Sequence, residues 1–125
     1  VQLRDMHGRK TGALLAASVL MGVACGAVSQ QAQAAYAVYG QAIGLAFQVV
    51  DDVLDVTQDS ATLGKTAGKD VNSDKPTYVT ALGVEGAMAC ARALRDQALA
   101  AIEPHGQGPQ SILATLANRV AERDN

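Results

Sequence analysis

The chain of 125 residues has few of the side chains that mark several common protein classes. It contains no Trp and a single Phe, and aromatic residues make up 3% of it, whereas 49% of its residues are hydrophobic. Many of those hydrophobic residues are Ala. Aromatic and β-branched residues favour sheets, whereas Ala favours helices. The composition therefore predicts an all-α fold with enough apolar residues for a core.

Basic runs and closely spaced cysteines are also missing. The formal net charge is -2, the pI is near 5.5 and no stretch is rich in Lys or Arg. Proteins that bind nucleic acids need a basic surface, so DNA and RNA are excluded as expected partners. Cys25 and Cys90 lie far apart without CxxC spacing. They are predicted to be buried free thiols in a protein of the reducing cytoplasm.

Charged residues are absent from the whole stretch 11–50. Within it, residues 12–28 are apolar, but they are rich in Ala and Gly, include Ser18 and fall short of a strong 20-residue hydrophobic segment. No membrane span is predicted. A helix that is apolar on all sides must be surrounded by protein if lipid does not surround it. The segment is therefore predicted to be a core helix buried on nearly every side.

Apolar spacings of three and four residues predict four helices. The first spans 11–25, and the second and longest spans 31–56. The polar stretch 57–76 is predicted to be a loop. A third helix spans 76–102, with Pro76 at its start and Ser73 or Asp74 as its cap. The fourth is amphipathic, with one apolar and one solvent-facing side. Its apolar positions are Ile112, Leu113, Leu116, Ala117 and Val120, and its solvent-facing positions are Arg119, Glu122 and Arg123.

Three carboxylates end the charge-free stretch, in the sequence DDVLD at 51–55. On a helix Asp51 and Asp55 lie one turn apart on the same face, and Asp52 lies about 100° round the axis. Like charges in this arrangement repel, so solvent, a cation or a metal must compensate them. Mg²⁺ in proteins is typically held by one or two carboxylates while phosphate oxygens and water complete its shell. The pattern indicates either a solvated helix end or a Mg²⁺ site for a phosphorylated ligand.

Neighbouring residues favour the metal interpretation. Gln48 lies one turn before Asp52, and Lys10 stands at the head of the first apolar helix. Further ammonium groups follow the carboxylates in the predicted loop, where they can bind a diphosphate. These are Lys65, Lys69 and Lys75.

Three other ligand motifs fail. Asp59 occupies the position of the first Gly of a Walker A loop, so Gly64-Lys65-Thr66 does not complete one. Lys75 replaces the invariant Gly of a calcium loop, and Ala81 stands where its bidentate Glu belongs. His7 and His105 have no second ligand at a zinc spacing.

Four segments together resemble the C-terminal part of the trans-isoprenyl diphosphate synthases, closest to the bacterial farnesyl or geranyl type. The segments are HGRKTGAL at 7–14, GLAFQVVDDVLD at 44–55, TLGKTAGKD at 62–70 and KPTYVTALG at 75–83. Their order and spacing also fit, and the combination is highly specific although DDxxD by itself is not. The resemblance implies that 1–125 is the C-terminal part of a single helical-bundle domain and that a fuller protein carries a first aspartate-rich motif and nearby arginines elsewhere.

The resemblance further implies a prenyltransferase that joins an allylic diphosphate to isopentenyl diphosphate, with Mg²⁺ as cofactor and a homodimer as its assembly. Asp51 would be the principal Mg²⁺ ligand, with Asp52 and Asp55 supporting it. The catalytic group would be Asp51, Lys10 and Lys65. The allylic diphosphate would contact Lys10, Thr11, Gln48, Lys65 and Lys75. Lys69 and Asp70 also match the family, either at the ligand or in ordering the loop.

Two other function classes stay open beside the synthase. One is a non-catalytic helical homologue or regulatory subunit that pairs with another chain; the retained aspartates and lysines speak against it. The other is a terpene cyclase with a similar helical core, which the chain-elongating segments GKTAGKD and KPTY disfavour.

Overall fold

The structure, a computed structural model, describes the backbone of residues 2–62 and 77–123, and the side chains of 9–58 and 77–123. These residues form four α-helices and no strand, which confirms the all-α prediction. The helices are α1 (Gln2–Ala24), α2 (Gln30–Thr62), α3 (Tyr78–Ile102) and α4 (Ile112–Glu122), and a short 3₁₀ turn, Glu103–His105, follows α3. Helix α2 lies at the centre and contacts each of the other three.

The first two helices are longer than predicted. Helix α1 begins at Gln2 rather than at residue 11, and α2 continues to Thr62, so the loop prediction for 57–62 is wrong. No Gly or Pro interrupts this stretch, and the Thr57 hydroxyl donates to the Val53 carbonyl oxygen at 2.9 Å, within the helix. The remainder of the predicted loop, 63–76, lies outside the described residues.

Thr77 caps α3, so the predicted caps Ser73 and Asp74 are wrong and the helix begins two residues after Pro76. The Thr80 backbone N–H donates to Thr77 Oγ1 at 3.1 Å, and the Thr77 N–H donates back to Thr80 Oγ1 at 2.8 Å. This reciprocal pair satisfies two N–H groups that have no partner within the helix. Gly83 interrupts the helix with φ +72°, a conformation that Gly adopts without a steric penalty.

The core consists of two clusters along α2. In one, Tyr39 and Ile43 pack with Ile102 of α3 and Ala117 of α4. In the other, the α2 residues Val49, Val50 and Val53 pack on Ala87 and Ala91 of α3. The small Ala side chains let α3 lie close to the larger residues of α2, as the Ala-rich composition predicts.

Small residues also form the contact between α1 and α2. A Cβ added at Gly44 would lie 2.8 Å from the Gly12 carbonyl oxygen, and one added at Gly40 would lie 3.2 Å from the Cα of Ala16. The two backbones therefore approach closely where these residues face each other. Because α1 packs mainly on α2, its opposite side is exposed, and the prediction that α1 is buried on nearly every side is wrong for this chain.

Three further side-chain predictions need correction. Cys25 and Cys90 are unpaired thiols, as predicted, but Cys25 is exposed and Cys90 only half-buried. On α4 the buried residues are Ala114, Ala117, Val120 and Ala121, whereas Ile112 and Leu116 face outward. The apolar stripe of α4 is thus shifted round the helix toward its Ala residues, because these fit against α3 and α2. No helix in the described ranges is long and apolar enough to cross a bilayer.

Candidate functional site

The three carboxylates of the DDVLD segment lie within α2, which continues to Thr62, and they follow by one turn the point where α1 crosses it. Asp51 is the most open of them, with 53% of its side chain exposed. Asp52 and Asp55 are half-buried. Their helical placement is as predicted, and it leaves a carboxylate oxygen accessible to a cation from solvent.

Asp52 connects α2 to the start of α3. The backbone N–H of Tyr78, the first residue of α3, donates to Asp52 Oδ2 at 3.4 Å. A carboxylate at a helix N-terminus is favourable because the unpaired N–H groups there carry partial positive charge. Burial raises the pKa of Tyr78, and the neighbouring Cys90 and Asp52 raise that pKa further. Asp52 therefore has a structural contact in addition to any ligand it binds.

Arg123 lies beside Asp51, a contact that the sequence does not predict. Its Nη2 donates to Asp51 Oδ1 and to the Phe47 carbonyl oxygen, each at 3.4 Å. Its guanidinium carbon stands 3.9 Å from the centre of the Phe47 ring, within the range of a cation–π contact. The prediction that Arg123 faces solvent is wrong because it lies just past the end of α4 and folds back onto α2. Arg123 and Asp51 are 72 residues apart in the sequence, so no local sequence pattern predicts their contact.

The crossing of α1 and α2 brings together two other predicted site segments. A Cβ at Gly12 would lie 2.7 Å from Gln48 Nε2, so the Gln48 amide rests against the Gly12 backbone. Thr11 is half-buried and Lys10 is exposed immediately before this contact. The fold thus places Lys10 and Thr11 at the same end of the α1–α2 pair as Gln48 and, one turn later on α2, the carboxylates.

The other predicted diphosphate ligands lie outside the described residues. They are Lys65 and Lys75, together with Lys69 and Asp70. Their participation in the site stays a prediction.

The available oxygens fit a hard divalent cation that is shared with a ligand. In the described part of the chain, no group of three or more His, Cys, Asp or Glu residues is arranged to hold a metal ion by itself. Mg²⁺ rarely needs such a cage, because one or two carboxylates suffice when water and phosphate oxygens supply the remaining positions. Asp51, with Asp55 one turn away on the same face, meets that requirement.

Comparison with known proteins identifies the family of the chain. The sequence profile described as Polyprenyl synthetase matches residues 1–116. The chain belongs to the polyprenyl synthetase family. This confirms the resemblance to prenyl diphosphate synthases that the four sequence segments indicated.

The curated relatives include plant and bacterial synthases. The chain is 43% identical to a chloroplastic geranylgeranyl pyrophosphate synthase of Catharanthus roseus, over 98% of this chain and 34% of that protein. It is 41% identical to the large subunit 1 of a heterodimeric chloroplastic geranylgeranyl pyrophosphate synthase of Arabidopsis thaliana, over 98% of this chain and 33% of that protein. It is 47% identical to a probable farnesyl diphosphate synthase of Sinorhizobium fredii, over 89% of this chain and 35% of that protein.

The chain spans about one third of the length of these relatives. The family profile covers α1, α2, α3 and the first five of the eleven residues of α4, and with them every site residue predicted from the sequence. Arg123 lies beyond the matched residues, so neither the profile nor the motif segments point to it.

Proposed function

We propose that the protein carrying this chain is a Mg²⁺-dependent prenyltransferase. It condenses an allylic diphosphate with isopentenyl diphosphate and yields a longer linear prenyl diphosphate of the farnesyl or geranyl type. The observation that carries the proposal is the placement of Asp51, with Asp55 one turn away, beside the α1–α2 crossing that holds Gln48 and the Lys10–Thr11 pair. Membership of the polyprenyl synthetase family supports it.

The proposed reaction begins when the bond between the allylic carbon and the diphosphate oxygen breaks. Negative charge then grows on the departing diphosphate, and groups fixed beforehand around it stabilise the transition state more than the bound substrate. When bound, Mg²⁺ supplies Lewis-acid stabilisation of that charge. The double bond of isopentenyl diphosphate attacks the resulting cation, and loss of a proton completes the linear product.

Each predicted site residue has a defined part in this proposal. Asp51 is the principal carboxylate ligand, and Asp52 and Asp55 support it. Lys10 and Lys65 place ammonium charges on the diphosphate. Thr11, Gln48 and Lys75 orient it through hydrogen bonds and charge. These groups act on the diphosphate of the allylic substrate, and none of them is assigned to isopentenyl diphosphate. We therefore expect the 125 residues by themselves to show no turnover.

Substitution of Asp51 tests the proposal. In the full-length native protein, Asp51→Asn keeps the size of the side chain but removes the charge that holds Mg²⁺. We expect the rate of prenyl chain extension to fall about a hundredfold or more, since a metal contact of this kind is worth several kcal/mol in the transition state. The fold should persist, because Asp51 is largely exposed and exposed ion pairs contribute at most about 1 kcal/mol.

The matched control is Asp96→Asn. Asp96 is also exposed and also contacts an arginine, with its Oδ1 3.1 Å from Arg95 Nε. It should keep the native rate. A native rate in Asp51→Asn, measured from radiolabelled isopentenyl diphosphate, would show that Asp51 is structural and would contradict the assignment.

A second candidate function is a non-catalytic subunit that pairs with a synthase chain. The observation that favours it is the apolar outer side of α1, which carries no charge after Lys10, together with a relative whose name specifies a heterodimeric enzyme. Product analysis of the purified native protein separates the candidates: a synthase forms linear diphosphates, a cyclase forms cyclised hydrocarbons, and a non-catalytic subunit forms neither. With the synthase we also propose a homodimer located in the cytoplasm.

A further inference from the structure

Arg123 is held firmly next to the metal-site carboxylate. Only 24% of its side chain is exposed, its guanidinium lies on the Phe47 ring, and Nη2 donates to the Phe47 carbonyl oxygen. Its Nε is buried and has no hydrogen-bond partner among the described residues. A guanidinium fixed on an aromatic platform loses little further freedom when it pairs with a carboxylate. The contact with Asp51 is therefore a defined feature of the fold.

The position of Arg123 is determined by α4. Ala117, Val120 and Ala121 lie on the buried side of this helix. Glu122, its last residue, accepts a hydrogen bond from Arg95 of α3 at 2.8 Å. These contacts fix the end of α4, and Arg123 follows directly as its C-cap residue. The end of the fourth helix thus supplies a positive charge to the site on the second.

The pair between Arg123 and Asp51 has the geometry of a replaceable contact. Its N–O distance of 3.4 Å exceeds the roughly 2.7–2.9 Å of a strong charge-assisted hydrogen bond. Asp51 is open to solvent on its remaining side, where water weakens the attraction. A divalent cation carries twice the charge of a guanidinium and binds the same oxygen more closely.

We propose that Arg123 is a positioning residue that neutralises and orients Asp51 while no cation is bound, and that a divalent cation must compete with it for this carboxylate. The inference rests on the proposed function, since it concerns the same metal site. Asp51 and Asp55 repel each other across one helical turn, and the Arg123 charge compensates that repulsion. The same charge lowers the affinity of the site for a cation in the absence of diphosphate.

Binding of Mn²⁺ alone to the full-length native protein tests this inference. Mn²⁺ prefers the same oxygen ligands as Mg²⁺, and its free concentration can be followed by electron paramagnetic resonance. Arg123→Gln removes the competing charge, so we expect Mn²⁺ to bind about two- to fivefold more tightly than in the native protein. This factor corresponds to an exposed ion pair worth up to about 1 kcal/mol. Arg123→Lys, which keeps the charge but not the planar contact with Phe47, should give a smaller increase.

Arg119→Gln is the matched control. It removes the same charge from an exposed position on the same helix, and we expect it to leave the Mn²⁺ affinity unchanged. Equal affinities for the Arg123→Gln and Arg119→Gln proteins, or weaker binding after Arg123→Gln, would overturn the inference while the native metal site stands. Absence of Mn²⁺ binding from the native protein and from every variant would instead overturn the metal assignment, and the competition with it.

The thermal unfolding midpoint without metal gives a second readout. Arg123→Gln should lower the midpoint in the native background and lower it less in an Asp51→Asn background, because the second protein no longer has the pair to lose. Equal decreases in the two backgrounds would show that Arg123 acts only through its packing on Phe47.

Discussion

Neighbouring residues of one segment can have different structural roles. Asp51 and Asp52 are adjacent in sequence, but Asp51 faces solvent and Arg123, whereas Asp52 accepts a hydrogen bond from the first residue of α3. We therefore expect substitution of Asp51 to affect chemistry and substitution of Asp52 to affect the start of α3 as well. The helical angle of about 100° between the two side chains is the cause.

Tyr39 gives the protein a pH dependence in the alkaline range. Its hydroxyl donates to the Leu113 carbonyl oxygen at 2.7 Å inside the core, and burial raises the pKa of Tyr39 from 10.0 to about 12. Between these values the unfolded chain loses the phenol proton and the folded protein keeps it. The stabilisation is therefore complete below pH 10 and is lost as the pH rises toward 12.

We predict that Tyr39→Phe makes the free energy of unfolding fall less steeply between pH 9 and pH 11. Urea unfolding of the full-length native protein at the two pH values measures this change. Some decrease should remain, because the pKa of Tyr78 is raised as well. Tyr36→Phe, in a half-buried residue packed on the same cluster, is the control and should keep the steep fall because Tyr39 is intact. An unchanged slope in Tyr39→Phe would contradict the prediction.

At the scale of the helices, the close approach of α1 and α2 depends on Gly. A methyl group at position 44 would lie 2.8 Å from the backbone oxygen of Gly12, which cannot move aside as a flexible side chain can. The same crossing sets the Gly12 backbone against Gln48 and thereby positions Lys10 and Thr11. Packing between these two helices is therefore a requirement of the site as well as of the fold.

We predict that Gly44→Ala destabilises the protein by about 1–3 kcal/mol, the usual cost of overpacking. Gly22→Ala is the control, because Gly22 lies in α1 and a Cβ there meets nothing within 4 Å. That change should stabilise the protein by roughly 0.5–1 kcal/mol, since Ala is the better helix residue. Urea unfolding of the two full-length variants measures both changes in the free energy of unfolding. A Gly44→Ala protein that is as stable as the Gly22→Ala protein would rule out a close crossing.

At the scale of the whole molecule, the outer side of α1 presents apolar residues, and it carries no charge after Lys10. Leu14 and Met21 are 67% and 70% exposed, and Leu20 is exposed between them. Contiguous apolar surface of this kind usually marks a contact between proteins. A second copy of the protein is the partner that we propose for it, in keeping with the proposed homodimer.

We predict that Leu14→Glu combined with Met21→Glu shifts the full-length native protein from dimer to monomer, as measured by light scattering. Two buried carboxylates without partners would oppose association strongly. Ile112→Glu, at an 86% exposed position on α4, should leave the dimer intact. A folded double variant that stays dimeric would exclude this face from the interface. A native protein that is monomeric would contradict the proposed homodimer and exclude a second copy as the partner of this face.

Much of the fold and the identity of the candidate site follow from the sequence. Apolar residues at spacings of three and four predict α2. Of these, Ile43, Val49, Val50 and Val53 are buried, whereas Val38 and Leu45 are exposed. The DDVLD segment is placed correctly on the same helix. The helix ends are predicted less well than the helices themselves. The Thr57 hydroxyl donates to a backbone carbonyl oxygen inside α2, and Thr77 caps α3. Thr is also common in loops, so composition does not distinguish a helical or capping Thr from a loop residue.

The sequence by itself determined the all-α class, the run of four helices, the family and the residue types of the proposed diphosphate and metal site. Only the tertiary structure decided that Arg123 meets Asp51, that Asp52 meets Tyr78, that Gly12 faces Gly44 and that the outer side of α1 stays exposed. Periodicity and motifs describe contacts within one helix, a few residues apart. The hydrogen bonds named above that join different helices link residues 26 to 76 positions apart, and they depend on which helix faces fit together in space.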